Sequence, residues 1–164
     1  MGGEFGQFAE WRDHEQLDWF LLGYERHPDL QKYVKELNHL YSGEPALHKI
    51  DDSWDGFKWL NVNDHERSVA AVMRSDGEDG CIVCAVNFTP QPYLNYRIGL
   101  PFGCELTEIL NSDRAEYGGS NLYNGTVLRA EEIPQEEHPF SCEIVLPPLA
   151  AVFFRCRKTQ KDDP

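Results

Sequence analysis

SVAAVMRSDGEDGCIVCAVNF, residues 68–88, decides the fold. Ser68–Arg74 and Cys81–Phe88 are short runs of small, β-branched and apolar residues. Between them, Asp76-Gly77 to Asp79-Gly80 supplies hairpin-turn chemistry: glycine reaches positive φ, and aspartate bonds its own backbone. Strands joined this tightly pair antiparallel. Similar runs recur every eight to twelve residues on either side, with turn residues between them. They are Phe57–Val62, Tyr93–Ile98, Glu105–Leu110, Thr126–Arg129, Cys142–Leu146 and Ala151–Arg155. Asn87–Pro90 and Leu146–Pro148 end strands. Tyr117-Gly118-Gly119-Ser120 and Asn124-Gly125 make a long looping connection. About eight strands without an intervening helix predict a mainly β fold, an antiparallel β-sandwich over residues 50–157.

Upstream of about Asp51 the texture differs. Leu17–Leu22 is a short apolar patch broken by Gly23–Pro28. From Pro28 the period is helical, with Leu30, Tyr33, Val34, Leu37, Leu40 and Tyr41 at steps of three and four. Pro28 suits a first helical turn and Ser42-Gly43 suits the exit, so the spacing predicts a helix over Pro28–Tyr41. A loop plus one striped helix, residues 1–49, is too small for its own core. At the other end, residues 158–164 read as a polar, frayed tail.

MGGEFGQFAEW, residues 1–11, is a glycine-rich loop carrying a carboxylate and an aromatic plate, with no apolar run before it. It reads as a surface loop with a buried Trp, or as the rim of a ligand site. Such a loop without a scaffold is expected to belong to something larger than this chain.

The net charge of -13 disfavours nucleic acid and anionic membranes as partners. The acidity is spread along the chain rather than gathered into a tail. No signal peptide or membrane-spanning run is evident. Five irregularly spaced cysteines argue against a disulfide framework, which leaves the cytoplasm, with reduced thiols, as the expected compartment.

The candidates for chemistry are thin. Cys81-x-x-Cys84 has no second knuckle to complete a zinc site, and within one strand the two side chains point to opposite faces. His14, His27, His39, His48, His65 and His138 are scattered without the four-residue step of a helical zinc site. No nucleophile elbow and no phosphate-binding glycine pattern is present. Glu4 and Glu10 lie six residues apart on one loop, with nothing to hold them at glycosidase spacing. No metal and no organic cofactor is expected. Aromatics give the best binding signal, since ring faces stack on the C–H faces of sugars. Trp11, Trp19, Tyr24, Trp54, Trp59, Tyr117 and Tyr123 include several in loops. Trp59, inside a strand, reads as core. Trp11 and Tyr117 read equally as packing or as ligand contact.

MGGEFGQFAEW (1–11), LDWFLL (17–22), KELNHLY (35–41), PAL (45–47), GFKWL (56–60), ERSVAAVMR (66–74), NFTP (87–90), YRIGLP (96–101), EILNSD (108–113), YGGSN (117–121) and LPPLA (146–150) together resemble, in order, the C-terminal part of bacterial 1,4-alpha-glucan branching enzymes. The resemblance covers nearly the whole chain, and its specificity lies in the order of the motifs. It implies membership of the α-amylase superfamily, in which a central (β/α)8 barrel precedes a C-terminal β-domain. Residues 1–49 would then be the end of the catalytic barrel: the loop after strand eight and the last helix. Residues 50–157 would be the C-terminal domain.

The family reaction moves a segment of α-1,4 glucan onto a 6-hydroxyl through a covalent glycosyl-enzyme. Its nucleophile, acid/base and stabilising aspartate come from earlier strands, and their motifs are absent here, as is the His-Asp pair expected before this strand. By the resemblance, no residue of this chain is catalytic. Glu4, Phe5, Gln7 and Trp11 match cleft-wall positions, and Tyr24 and Tyr117 are candidates for glucan stacking. The partners implied are an α-glucan and the missing barrel. The helix stripe would face that barrel; without it, residues 1–48 would be mobile, fold back on the sandwich, or drive self-association. The competing readings are a non-catalytic glucan-binding or interaction module, and a related amylase or debranching enzyme.

Overall fold

The structure, a computed structural model, describes residues 1–159. Its eight strands are β1 (Phe57–Asp64), β2 (Val69–Ser75), β3 (Cys81–Asn87), β4 (Tyr93–Leu100), β5 (Cys104–Asn111), β6 (Leu128–Arg129), β7 (Phe140–Leu146) and β8 (Ala150–Lys158). All eight expected strands are present. The hairpin loop turns as its residues dictate, with the Asp76 carboxylate accepting bonds from the amides of Glu78 at 2.9 Å and Gly80 at 3.0 Å.

Six strands form one antiparallel sheet in the order β1-β2-β3-β8-β5-β6, and β4 and β7 pair as a second. Alternate side chains point to opposite faces of a strand. In β8 this sends Val152, Phe154 and Cys156 inward. They meet Val83 and Ala85 of β3, Leu106 of β5, and Ile98, Leu100, Ile144 and Leu146 of the smaller sheet. That one cluster is the core. A bridge between Glu131 and Ser141 ties the β6 side to β7. Between β1 and β4, by contrast, no ladder forms. There the two sheets are joined by side chains: Asn61 Nδ2 donates to Tyr96 Oη at 2.6 Å, and Tyr96 Oη donates to Asp64 Oδ2 at 2.7 Å. Burial and the Asp64 carboxylate raise the Tyr96 phenol well above its ordinary pKa, so this bridge stays protonated. β1 also breaks register with β2 twice, between Trp59 and Asn61 and between Asn61 and Asp64.

The strand ends are set by side chains that replace backbone partners. Asn87 closes β3 by donating to the carbonyls of Pro147 and Gln91 while accepting from Thr89 N. After β5, the buried Asp113 carboxylate accepts from Ser120 N at 2.9 Å, Ser120 Oγ at 2.7 Å and Leu122 N at 3.0 Å. Only glycine fits beside it, because a Cβ on Gly119 would stand 2.2 Å from the Asp113 carbonyl oxygen. β8 runs further than its apolar pattern suggested. Lys158 pairs with Cys104, and Thr159 N donates to Gly103 O. The expected fray over 158–164 therefore does not begin at Lys158, and residues 160–164 lie outside the described part.

The helix α1 spans His27–Gly43, two residues longer at its C-terminal end than the spacing predicted. It lies back against the β-domain. Tyr33 packs edge-on to Tyr117 with ring centres 5.3 Å apart, Lys32 pairs with Glu116 at 2.7 Å, and Arg26 donates to the Gly118 carbonyl. Pro45–Leu47, a single 3-10 turn that buries Ala46, follows the helix and sits against β2 and β3. Tyr33, Val34, Leu37 and Leu40 are half-buried by this arrangement. The stripe thus folds back on the sandwich in part, while Leu30 and Tyr41 at its two ends stay exposed. The preceding loop also leaves apolar groups exposed: Phe8, Trp11, Phe20 and Tyr24. No described helix is long and apolar enough to cross a membrane.

Candidate functional site

Two regions hold the four tryptophans, all of them exposed: the N-terminal segment and the start of β1.

In the N-terminal loop, Gly3–Phe5 forms a 3-10 turn. Glu4 is exposed on it. Phe5 is fully buried, its ring 5.2 Å from that of Trp19, and its carbonyl lies 2.7 Å from Nδ1 of His27 on α1. Gln7 staples the loop to itself, accepting from Asp18 N at 2.9 Å and donating to Ala9 O at 3.2 Å. Trp11 is 77 % exposed and Tyr24 60 % exposed. The loop thus brings Glu4, Phe5 and Gln7 together, with Phe5 and Gln7 holding its shape. Tyr117 is occupied elsewhere: Tyr33 covers its edge, Lys32 Nζ stands 5.6 Å from its ring centre, and burial raises its phenol pKa.

In the second region the sequence names Trp54 and Trp59 among the aromatics but assigns no site. Trp54 begins a 3-10 turn, Trp54–Gly56, whose first amides are capped by the Ser53 hydroxyl accepting from Asp55 N. Gly56 is required where the chain crosses itself, since a Cβ there would lie 2.0 Å from Ile50 O. Arg74 of β2 clamps the loop from below. Its Nε donates to Gly56 O at 2.9 Å, and its Nη2 donates to Ile50 O at 3.2 Å and pairs with Asp51 at 2.7 Å. The clamp presents three rings in series. Trp54 and Phe57 meet edge-on at 5.9 Å, and Phe57 and Trp59 at 5.2 Å. Trp54 is 80 % exposed and Trp59 46 %. With Ile50, Asp51, Asp52, Ser53 and Arg74 the rings bound an open hollow of about 400 Å³.

Trp59 is therefore not core. Neighbouring residues on a strand face opposite ways, and Leu60 takes the inward position, buried at 2 %. β1 is also the outermost strand of its sheet, so its outward face is only partly covered. The signal that could have found the platform was the spacing Trp54-x-x-Phe57-x-Trp59 next to Asp51-Asp52-Ser53. It places rings and hydroxyl-accepting oxygens on one short stretch.

Burial pushes the Cys84 thiol up to about 12 and the Cys142 thiol up to about 11, which removes the thiolate at neutral pH. Cys81 lies inside the sheet and Cys84 on its outer face, so the Cys-x-x-Cys pair is split between two environments. Among the described residues, no group of three or more His, Cys, Asp and Glu is arranged to hold a metal. What the platform can do is stack apolar ring faces on a ligand and accept its hydroxyl hydrogens.

Comparison with known proteins places these features in a family. The model of the alpha amylase C-terminal all-beta domain matches residues 59–157. The chain is 46 % identical over 157 residues to the 1,4-alpha-glucan branching enzyme of Halothermothrix orenii, covering 94 % of this chain and 25 % of that protein. The branching enzyme of Marinobacter nauticus gives the same values, and that of Aquifex aeolicus is 44 % identical over 156 residues with the same coverage. The chain spans about a quarter of the length of these relatives. The crystal structure of an alpha-amylase from H. orenii superposes with a TM-score of 0.45 at 14 % identity, over 79 % of this chain and 20 % of that one. With a family match over residues 59–157 and eight antiparallel strands around one core, the chain belongs to the family of the alpha-amylase C-terminal all-beta domain.

Proposed function

We propose that this chain serves as the C-terminal, non-catalytic part of a 1,4-alpha-glucan branching enzyme. In this reading residues 1–49 end the catalytic barrel and support the glucan cleft, and residues 50–157 form a β-domain that holds glucan. The parent enzyme transfers glucan chains to make α-1,6 branches in glycogen, in the cytoplasm, where the five free thiols stay reduced. The similarity to branching enzymes supports the parentage. The observation that carries glucan holding is the exposed Trp54–Phe57–Trp59 series beside Asp51, Asp52 and Ser53. Glu4, Phe5, Gln7 and Trp11 remain cleft-wall candidates, and Tyr24, exposed close by in sequence, a stacking candidate. Tyr117 is the weaker of the two stacking candidates, because its ring is already covered. Phe8, Trp11, Phe20 and Tyr24 are the surface that meets the rest of the parent. In the chain by itself they, with Leu30 and Tyr41 of the helix stripe, are the groups that would drive self-association.

Two results test this. The purified 164-residue chain, incubated with amylose, is expected to create no α-1,6 linkages by debranching assay, and branch formation would refute the non-catalytic assignment. The same chain is expected to bind soluble starch on an affinity gel, and Trp54→Ala to weaken that binding by about 2 kcal/mol, roughly thirtyfold, the usual cost of removing an aromatic anchor. Trp54 is exposed, so the variant keeps its fold. Unchanged retardation of the variant would refute the platform.

A further inference from the structure

Trp59 borders two hollows at once. One is the platform. The other, of about 780 Å³, follows the open seam between β1 and β4, with residues 135–138 as its far wall. Seven residues of β1, 58–64, line the seam, roughly 23 Å at ~3.3 Å per residue. The floor is the Asn61–Tyr96–Asp64 bridge, whose donors and acceptors already satisfy one another. The walls differ. Among the described residues no protein hydrogen bond occupies the side-chain amides of Asn63, Asn95 or Gln135, and each lines the seam. A carboxamide offers a donor and an acceptor side by side, which matches the alternating needs of vicinal hydroxyls. The charges along the seam are of both signs, Lys58 and Arg67 against Glu136 and Glu137, so it offers no single-signed field to a charged ligand.

We propose that the seam continues the platform, so that the site takes an extended run of a neutral α-glucan, longer than the platform alone can hold. Rings at Trp54, Phe57 and Trp59 hold the first units by stacking. The chain then turns over β1 at Trp59, and the amides of Asn63, Asn95 and Gln135 hold the following units by their hydroxyls. This rests on the platform reading above, and it adds a dependence on ligand length that a platform alone does not have.

Calorimetric titration of the 164-residue chain with maltotriose and with maltoheptaose tests it. The longer sugar is expected to bind at least tenfold more tightly, about 1.4 kcal/mol. The double variant Asn63→Ala/Asn95→Ala removes only exposed amides and is expected to abolish that gain while leaving maltotriose unchanged. Trp54→Ala is expected to weaken both sugars. Equal affinity for the two lengths, or a gain that survives the double variant, overturns the extension and leaves the platform standing. Binding of neither sugar by the unaltered chain overturns both.

Discussion

Phe154→Ala is expected to cost about 4 kcal/mol of folding stability, the range for emptying a fully buried phenylalanine site. Phe154 has no solvent exposure and sits at the middle of β8, the strand that joins the two halves of the larger sheet. It pairs with Val83 on one side and Glu108 on the other, and its ring enters the cluster that also holds Ile98, Ile144 and Leu146 from the smaller sheet. Truncation therefore leaves a hollow where both sheets meet, and neither can close on it without breaking ladder bonds. For a chain of this size the cost corresponds to a drop of about 10 °C in Tm. Near-UV circular dichroism during heating measures it, and a drop below about 2 °C would show that β8 is not the centre of the core.

Asp113→Ala is expected to cost about 3 kcal/mol, through bonds rather than volume. The carboxylate serves Ser120 N, Ser120 Oγ and Leu122 N from a site 6 % exposed. Hydrogen bonds to a charged group contribute about 1.5–3 kcal/mol each, and amides left unsatisfied add their own desolvation cost. The three bonds share one group, so they do not simply sum. Asp113→Asn keeps one acceptor oxygen and is expected to recover part of the loss. The distinguishing signature is local. Amide exchange should rise across residues 113–122 in the alanine variant while β3 and β8 stay protected. Uniform loss of protection would mean that the loop is not the element Asp113 stabilises.

These residues also show where sequence was readable. The Asp-Gly turn and its flanking strands could be read because hairpin chemistry is local, and each of the eight strands left an apolar run. β8 ran past its expected end because Cys156 faces inward between Arg155 and Arg157, and a cysteine among basic residues gives a weak pattern. The role of Asp113 was hidden for a different reason. Its partners lie seven to nine residues on, across a turn whose course depends on Gly119. Trp59 was misplaced because Trp and Leu are adjacent and only one can face inward. Which one it is depends on the bulged register of β1 against β2, a long-range property. The platform was missed with it, since its third ring is Trp59 and its clamp, Arg74, comes from the next strand. The helix was legible as a stripe, but the surface it would choose was not.

The same irregular register has a bearing on solubility. An outermost strand with unpaired amides and carbonyls is a template onto which another extended chain can add, and from which fibrils grow. β1 is outermost in its sheet and faces a seam without a ladder. Its two register breaks put successive peptide groups out of the even spacing that an added strand would need, and Lys58 places a charge along the row. A sequence that straightened β1 into regular pairing would gain ladder bonds with β2 and, with them, a flat and reactive edge.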